Sequence, residues 1–63
     1  MQERECFLPA AQVKQRYGVT DMSIWRWLKD ESLGFPQPMR IKGRRFWRLA
    51  DLRAWEDARA ENN

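Results

Sequence analysis

Histidine is absent from this chain, and cysteine occurs once, at Cys6. A lone cysteine forms no internal disulfide, and without imidazole a zinc site would rest on one thiolate and carboxylates, so no metal centre is expected. With no fixed cationic neighbour, Cys6 reads as a small hydrophobe and is assigned no role. Glycine occurs only three times, and nowhere as a phosphate-cradling loop. The adjacent carboxylates Asp30-Glu31 and Glu56-Asp57 diverge by about 100° on a helix and make no acid/base dyad. No activated nucleophile is identifiable, so the reading is that the chain is not an enzyme, with no catalytic residue, cofactor or small-molecule substrate. No apolar run approaches the ~20 residues of a membrane span, and Met1 to Glu5 is too polar and acidic for a secretory signal. A cytoplasmic protein with no membrane partner is expected.

What is abundant is aromatic side chain: four Trp, three Phe and one Tyr in 63 residues. A chain this short forms one domain and buries only about 60% of the surface its unfolded form exposes, so a dense aromatic core must replace disulfides and metals. Charge is the second resource. The net value is only +3, but it is polarised. Arg40, Lys42, Arg44, Arg45 and Arg48 fall in one segment with no acidic residue, whereas Asp51, Glu56, Asp57 and Glu61 outnumber Arg53 and Arg59 after it. Such a division offers one face to a polyanion and another to solvent or a protein.

Periodicity divides the chain into elements. Ala10, Val13 and Tyr17 form an apolar stripe, which predicts a first helix over 10–17, entered at Pro9 and left at Gly18. Thr20 carries the hydroxyl of an N-cap, and a second helix is predicted over 21–31 with Ile24, Trp27 and Leu28 on its inner side. The corner between them, Gly18 to Thr20, is short and contains glycine, the signature of a helix-turn-helix. Phe35-Pro36-Gln37-Pro38 is extended by its prolines. Met39 to Ile41, a turn at Lys42-Gly43-Arg44 and Arg45 to Leu49 then read as a β-hairpin, with Trp47 inward and Phe46 outward beside Arg44 and Arg48. A third helix is predicted over 51–60, with Leu52, Trp55 and the stem of Arg59 on one side. The expected organisation is a flexible tail over 1–6, a domain over 7–60 and a frayed end over 61–63. Its fold class is mostly α with a small hairpin: helix, helix, two-stranded wing, helix.

In a helix-turn-helix the second helix enters the major groove of DNA. Here its outward side carries Met22, Ser23, Arg26 and Lys29, with Asp21 and Trp25 at the margins. Arg26 can pair with guanine O6 and N7 in bidentate fashion, and Ser23 can donate to a base or phosphate. The hairpin extends Arg40, Lys42, Arg44, Arg45 and Arg48 around Gly43, where long cations reach phosphates or a minor groove. If these five basic residues each neutralise one phosphate, log K falls against log salt with a slope of about −4.5.

The residues Phe7-Leu8-Pro9-Ala10-Ala11-Gln12-Val13, Tyr17-Gly18-Val19-Thr20, Ser23-Ile24-Trp25-Arg26-Trp27, Phe35-Pro36-Gln37-Pro38, Gly43-Arg44-Arg45 and Trp47 to Trp55 carry a resemblance. The chain resembles the AlpA-type regulators of prophages and the related phage excisionases, over nearly its whole length. The resemblance implies a MerR-like winged helix, with Thr20, Met22, Ser23 and Arg26 facing the major groove. Lys42, Arg44 and Arg45 would be wing contacts and Arg48 a phosphate contact. Double-stranded DNA would be the partner, with an integrase or further copies of the chain bound cooperatively beside it. A transcription regulator and an excisionase remain open alternatives. From another class, a small adaptor of phage packaging or replication would use the acidic face of the third helix and Trp25.

Overall fold

The limits of the first two helices are set by residues close to them in the chain. The computed structural model describes residues 6–61; the tail and frayed end expected at the termini fall outside this range except for Cys6 and Glu61. In chain order the elements are β1 (Phe7–Pro9), α1 (Ala10–Tyr17), α2 (Asp21–Lys29), β2 (Met39–Ile41), β3 (Arg44–Arg48) and α3 (Leu49–Glu61). Three helices and a three-stranded antiparallel sheet of order β1-β3-β2 therefore make up the described residues.

The first helix spans the predicted residues. Pro9 precedes it with φ −67°, and the amide that proline lacks would have had no intrahelical partner there. Gly18 closes it at φ 66° in the left-handed region, its amide bonding Gln15 O and the Val19 amide bonding Lys14 O, a conformation that glycine adopts without steric penalty. Two residues later the Thr20 side chain accepts the Ser23 amide at 3.2 Å, so α2 starts with its orphan donor satisfied.

The second helix stops at Lys29, two residues before the predicted Glu31. Asp30 leaves helical geometry at ψ 97°, and its carboxylate accepts both the amide (3.1 Å) and the hydroxyl (2.6 Å) of Ser32. A short polar side chain here offers the backbone an alternative to another helical turn. The same bond from Ser32 holds the Asp30 carboxyl below its usual range.

Two further departures involve the sheet. Strand β1 was not anticipated: three residues ending in proline carry no readable alternation, yet Phe7, Leu8 and Pro9 pair with Arg48, Trp47 and Phe46. Proline is tolerated because β1 is an edge strand. Helix α3 begins at Leu49 rather than Asp51, because the Leu49 amide donates to the Cys6 carbonyl at 2.8 Å. One donor that a helix start leaves orphaned is thus met by the chain leading into β1.

Val13, Ile24, Phe35, Trp47 and Leu52 are buried, one from each helix, one from β3 and one from the proline-rich segment. Tyr17, Trp27 and Trp55 pack around Phe35 with ring centroids 6.0, 5.3 and 4.9 Å away, all near edge-to-face, the geometry aromatic quadrupoles favour. The two indoles also hold the irregular chain between α2 and β2. Trp47 Nε1 donates to Pro36 O at 2.8 Å and Trp55 Nε1 to Leu33 O at 3.0 Å. Among the described residues no helix is long and apolar enough to cross a membrane.

Candidate nucleic-acid interface

The outward stripe of α2 follows from its inward one. With Ile24 buried and Trp27 and Leu28 packed on the core, the helical repeat turns Met22, Arg26 and Lys29 to the opposite side and Trp25 to its flank, and all four are exposed. Among the described residues the Arg26 side chain has no ion pair or hydrogen bond. Its guanidinium is available to a ligand. Trp25, about 100° round the helix from Ile24, sits at the margin of this stripe; it is 52% exposed, and the Lys29 ammonium lies 5.0 Å from its ring centroid. Thr20 is exposed, but its hydroxyl serves as the N-cap, and Ser23, half-buried, lies 3.4 Å from it.

The hairpin turns in two residues, not three, because Arg44 already pairs with Ile41. Lys42 at φ 52° and Gly43 at φ 80° both occupy the positive-φ region that a tight primed turn requires. A Cβ at Gly43 would meet nothing within 4 Å, so conformation and not space explains glycine there. The Lys42 side chain is carried at the exposed tip.

The strand alternation divides the hairpin cations. Trp47 is buried as predicted, so Arg45 shares its inward side, while Arg44, Phe46 and Arg48 lie on the other face. Arg40 is opposite Arg45 in register and exposed; Arg48 is opposite Phe7 and exposed. The expectation that Arg45 projects from the wing is therefore corrected. Its side chain is only 25% exposed, its guanidinium lies 5.6 Å from the Trp47 ring centroid, and Nη2 stands 3.7 Å from Asp21 Oδ1. The adjacent arginines point to opposite faces, and of the two only Arg44 is exposed.

The contact between Arg45 and Asp21 brings the hairpin and the first turn of α2 into one neighbourhood. Lys14 reaches the other side of Asp21, 3.2 Å from Oδ2. A shallow groove lined by Lys14, Gln15, Gly18, Thr20 and Met22 runs between α1 and α2. Lys14 and Gln15 were not singled out in the sequence; their position on the last turns of α1, beside the glycine corner, was the available signal.

On α3 the expected acidic face is reduced. Glu56 accepts from Arg16 through Nε (2.7 Å) and Nη2 (2.8 Å) and from the Tyr17 hydroxyl (2.5 Å). The Arg16 bonds hold the Glu56 carboxyl below its usual range. Burial, and then the bond to Glu56, push the Tyr17 phenol up to about 12. This cluster joins α1 to α3 and leaves Asp51, Asp57 and Glu61 as the exposed acids of that helix. No group of histidine, cysteine or carboxylate side chains suited to a metal occurs among the described residues. Compared with protein-family models, with curated proteins and with solved structures, the chain matches none.

Proposed function

We propose that this chain is a winged helix-turn-helix protein of a phage or mobile element that binds specific sites in double-stranded DNA. In this reading α2 lies in the major groove, the β2–β3 hairpin is the wing on the adjacent minor groove or backbone, and α1 braces α2 across a phosphate strand. The observation that carries it is the joint placement of an unpaired Arg26 on the exposed stripe of α2 and an exposed cationic hairpin beside the first turn of that helix. Arg26 would read guanine, while Arg40, Lys42, Arg44 and Arg48 would meet phosphates, contacts that position without specifying. The resemblance to AlpA-type regulators and excisionases supports a role in prophage transcription, in excision beside an integrase, or in both.

A single module of this size covers about 600–1,000 Å² of its own surface on DNA, so several copies binding repeated sites cooperatively are expected. The test is a gel shift with duplexes selected from a random pool, in excess competitor DNA, followed by footprinting. Protection of defined sites by the native chain and its loss in Arg26→Ala support the reading. Binding without sequence preference that vanishes at moderate salt refutes it and favours a protein-interaction adaptor.

A further inference from the structure

Two large apolar side chains of α2 are left outside the core. Met22 is 58% exposed and Trp25 is 52% exposed, and at i and i+3 they stand one above the other on the helix surface. Only five apolar residues are buried among those described. For so small a core, leaving methionine and tryptophan in water forgoes burial that a bound surface would restore. Arg26 is the neighbour of Met22 at i+4, and the Lys29 ammonium lies 5.0 Å from the Trp25 ring centroid, so an apolar pair, Met22 and Trp25, runs beside a cationic pair, Arg26 and Lys29.

The base edges in the major groove are polar with one exception, the C5 methyl of thymine, and they lie between two rows of phosphates. An apolar pair beside a cationic one complements that combination, methyl groups set within a polyanion. Resting on the DNA-binding reading above, we propose that Met22 and Trp25 read thymine through its C5 methyl. The recognised site then contains thymines next to the base that Arg26 reads. The adjoining charge selects this occupant over an apolar protein surface, which would leave Arg26 and Lys29 without counter-charge.

The experiment uses duplexes that the full chain selects from a random pool, each made once with thymine and once with deoxyuridine. The replacement keeps Watson–Crick pairing and removes only the methyl. The native chain is expected to bind the thymine form more tightly, by about fourfold for each methyl in contact. Met22→Ala and Trp25→Ala are expected to lose that preference while still requiring Arg26. Both positions are exposed, and far-UV circular dichroism checks that the variants fold. Equal binding of the two forms by the native chain, or preference undiminished in both variants, overturns the thymine reading alone. Selection of no duplex overturns the DNA-binding reading and this inference with it, and leaves the stripe to a protein partner.

Discussion

Lys42 and Arg45 are both cations of one hairpin, yet their surroundings predict opposite consequences of neutralising them. Lys42 sits exposed at the tip of the turn; Arg45 lies over Trp47 and beside Asp21 with a quarter of its side chain exposed. If Arg40, Lys42, Arg44 and Arg48 each meet one phosphate, the slope of log K against log salt is about −3.6, shallower than the value of about −4.5 that counting all five hairpin cations gives. Lys42→Gln should flatten it to about −2.7 and weaken binding at 0.1 M salt by about eightfold, equally on all sequences. It should leave stability within about 0.5 kcal/mol, as for an exposed surface position. Arg45→Gln should instead leave the slope near its original value and destabilise the fold by about 1 kcal/mol. That figure combines ~0.5–1 kcal/mol for a cation over an aromatic ring with the smaller value of a solvent-screened ion pair. Fluorescence anisotropy with a labelled duplex between 50 and 200 mM NaCl gives the slopes, and urea denaturation followed by circular dichroism gives the stabilities. If Arg45→Gln flattens the slope as much as Lys42→Gln and leaves the urea midpoint unmoved, the assignment of Arg45 to the interior is wrong.

Arg26→Ala should reduce discrimination between a selected duplex and a scrambled one by about 1–3 kcal/mol, with folding unchanged; competition binding reads this, and undiminished preference removes Arg26 from base recognition. Trp47→Phe should destabilise by about 2–4 kcal/mol, because it leaves the Pro36 carbonyl, now bonded at 2.8 Å, without its donor and opens a cavity; a change under about 0.5 kcal/mol in urea would refute the role given to that bond. The Arg16–Glu56–Tyr17 cluster predicts two pH limbs in thermal unfolding. Glu56 is depressed in the fold, so its contribution is present above the ordinary carboxylate value and is lost as pH falls through the folded value, and Glu56→Gln should weaken this acid limb. Tyr17 is raised from 10.0 to about 12, so its contribution is complete below pH 10 and is lost as pH rises toward 12, and Tyr17→Phe should remove this alkaline limb.

Legibility in the sequence followed the range of the interactions involved. The limits of α1 could be read because Pro9 and Gly18 act on their own backbone, and Thr20 could be read as a cap because its partner is three residues away. The inward turn of Trp47 followed from strand alternation alone. The predicted end of α2 lies two residues beyond the observed one, although the cause, the Asp30–Ser32 bond, is local; no glycine or proline occurs before Gly34 to mark the stop. Contacts distant in the chain left no pattern. Strand β1 exists by pairing with residues some forty positions later, and α3 gains its first turn from Cys6. Arg45 reads from the sequence as a wing contact and Glu56 as part of an acidic face, and only the packing brings Asp21 to one and Arg16 with Tyr17 to the other.

The same packing explains how so short a chain can present a surface of defined geometry. Helix α2 has nine residues, too few to hold its shape in water alone. Its inner side therefore has to be gripped, and Ile24 and Trp27 are gripped by a core whose members come from the other helices, from β3 and from the proline-rich segment. That segment has little regular structure, yet Phe35 is at the centre of the aromatic cluster and two indole donors hold the carbonyls around it. The hairpin grows directly out of this clamp: β2 starts three residues after Pro36, and β3 carries Trp47. The exposed stripe of α2 and the cationic tip thus hang from one aromatic centre, which sets the distance between them. Loosening that centre by Phe35→Ala should therefore weaken sequence-specific binding more than salt-dependent, non-specific binding in any molecules that remain folded, because only the former needs both elements in register.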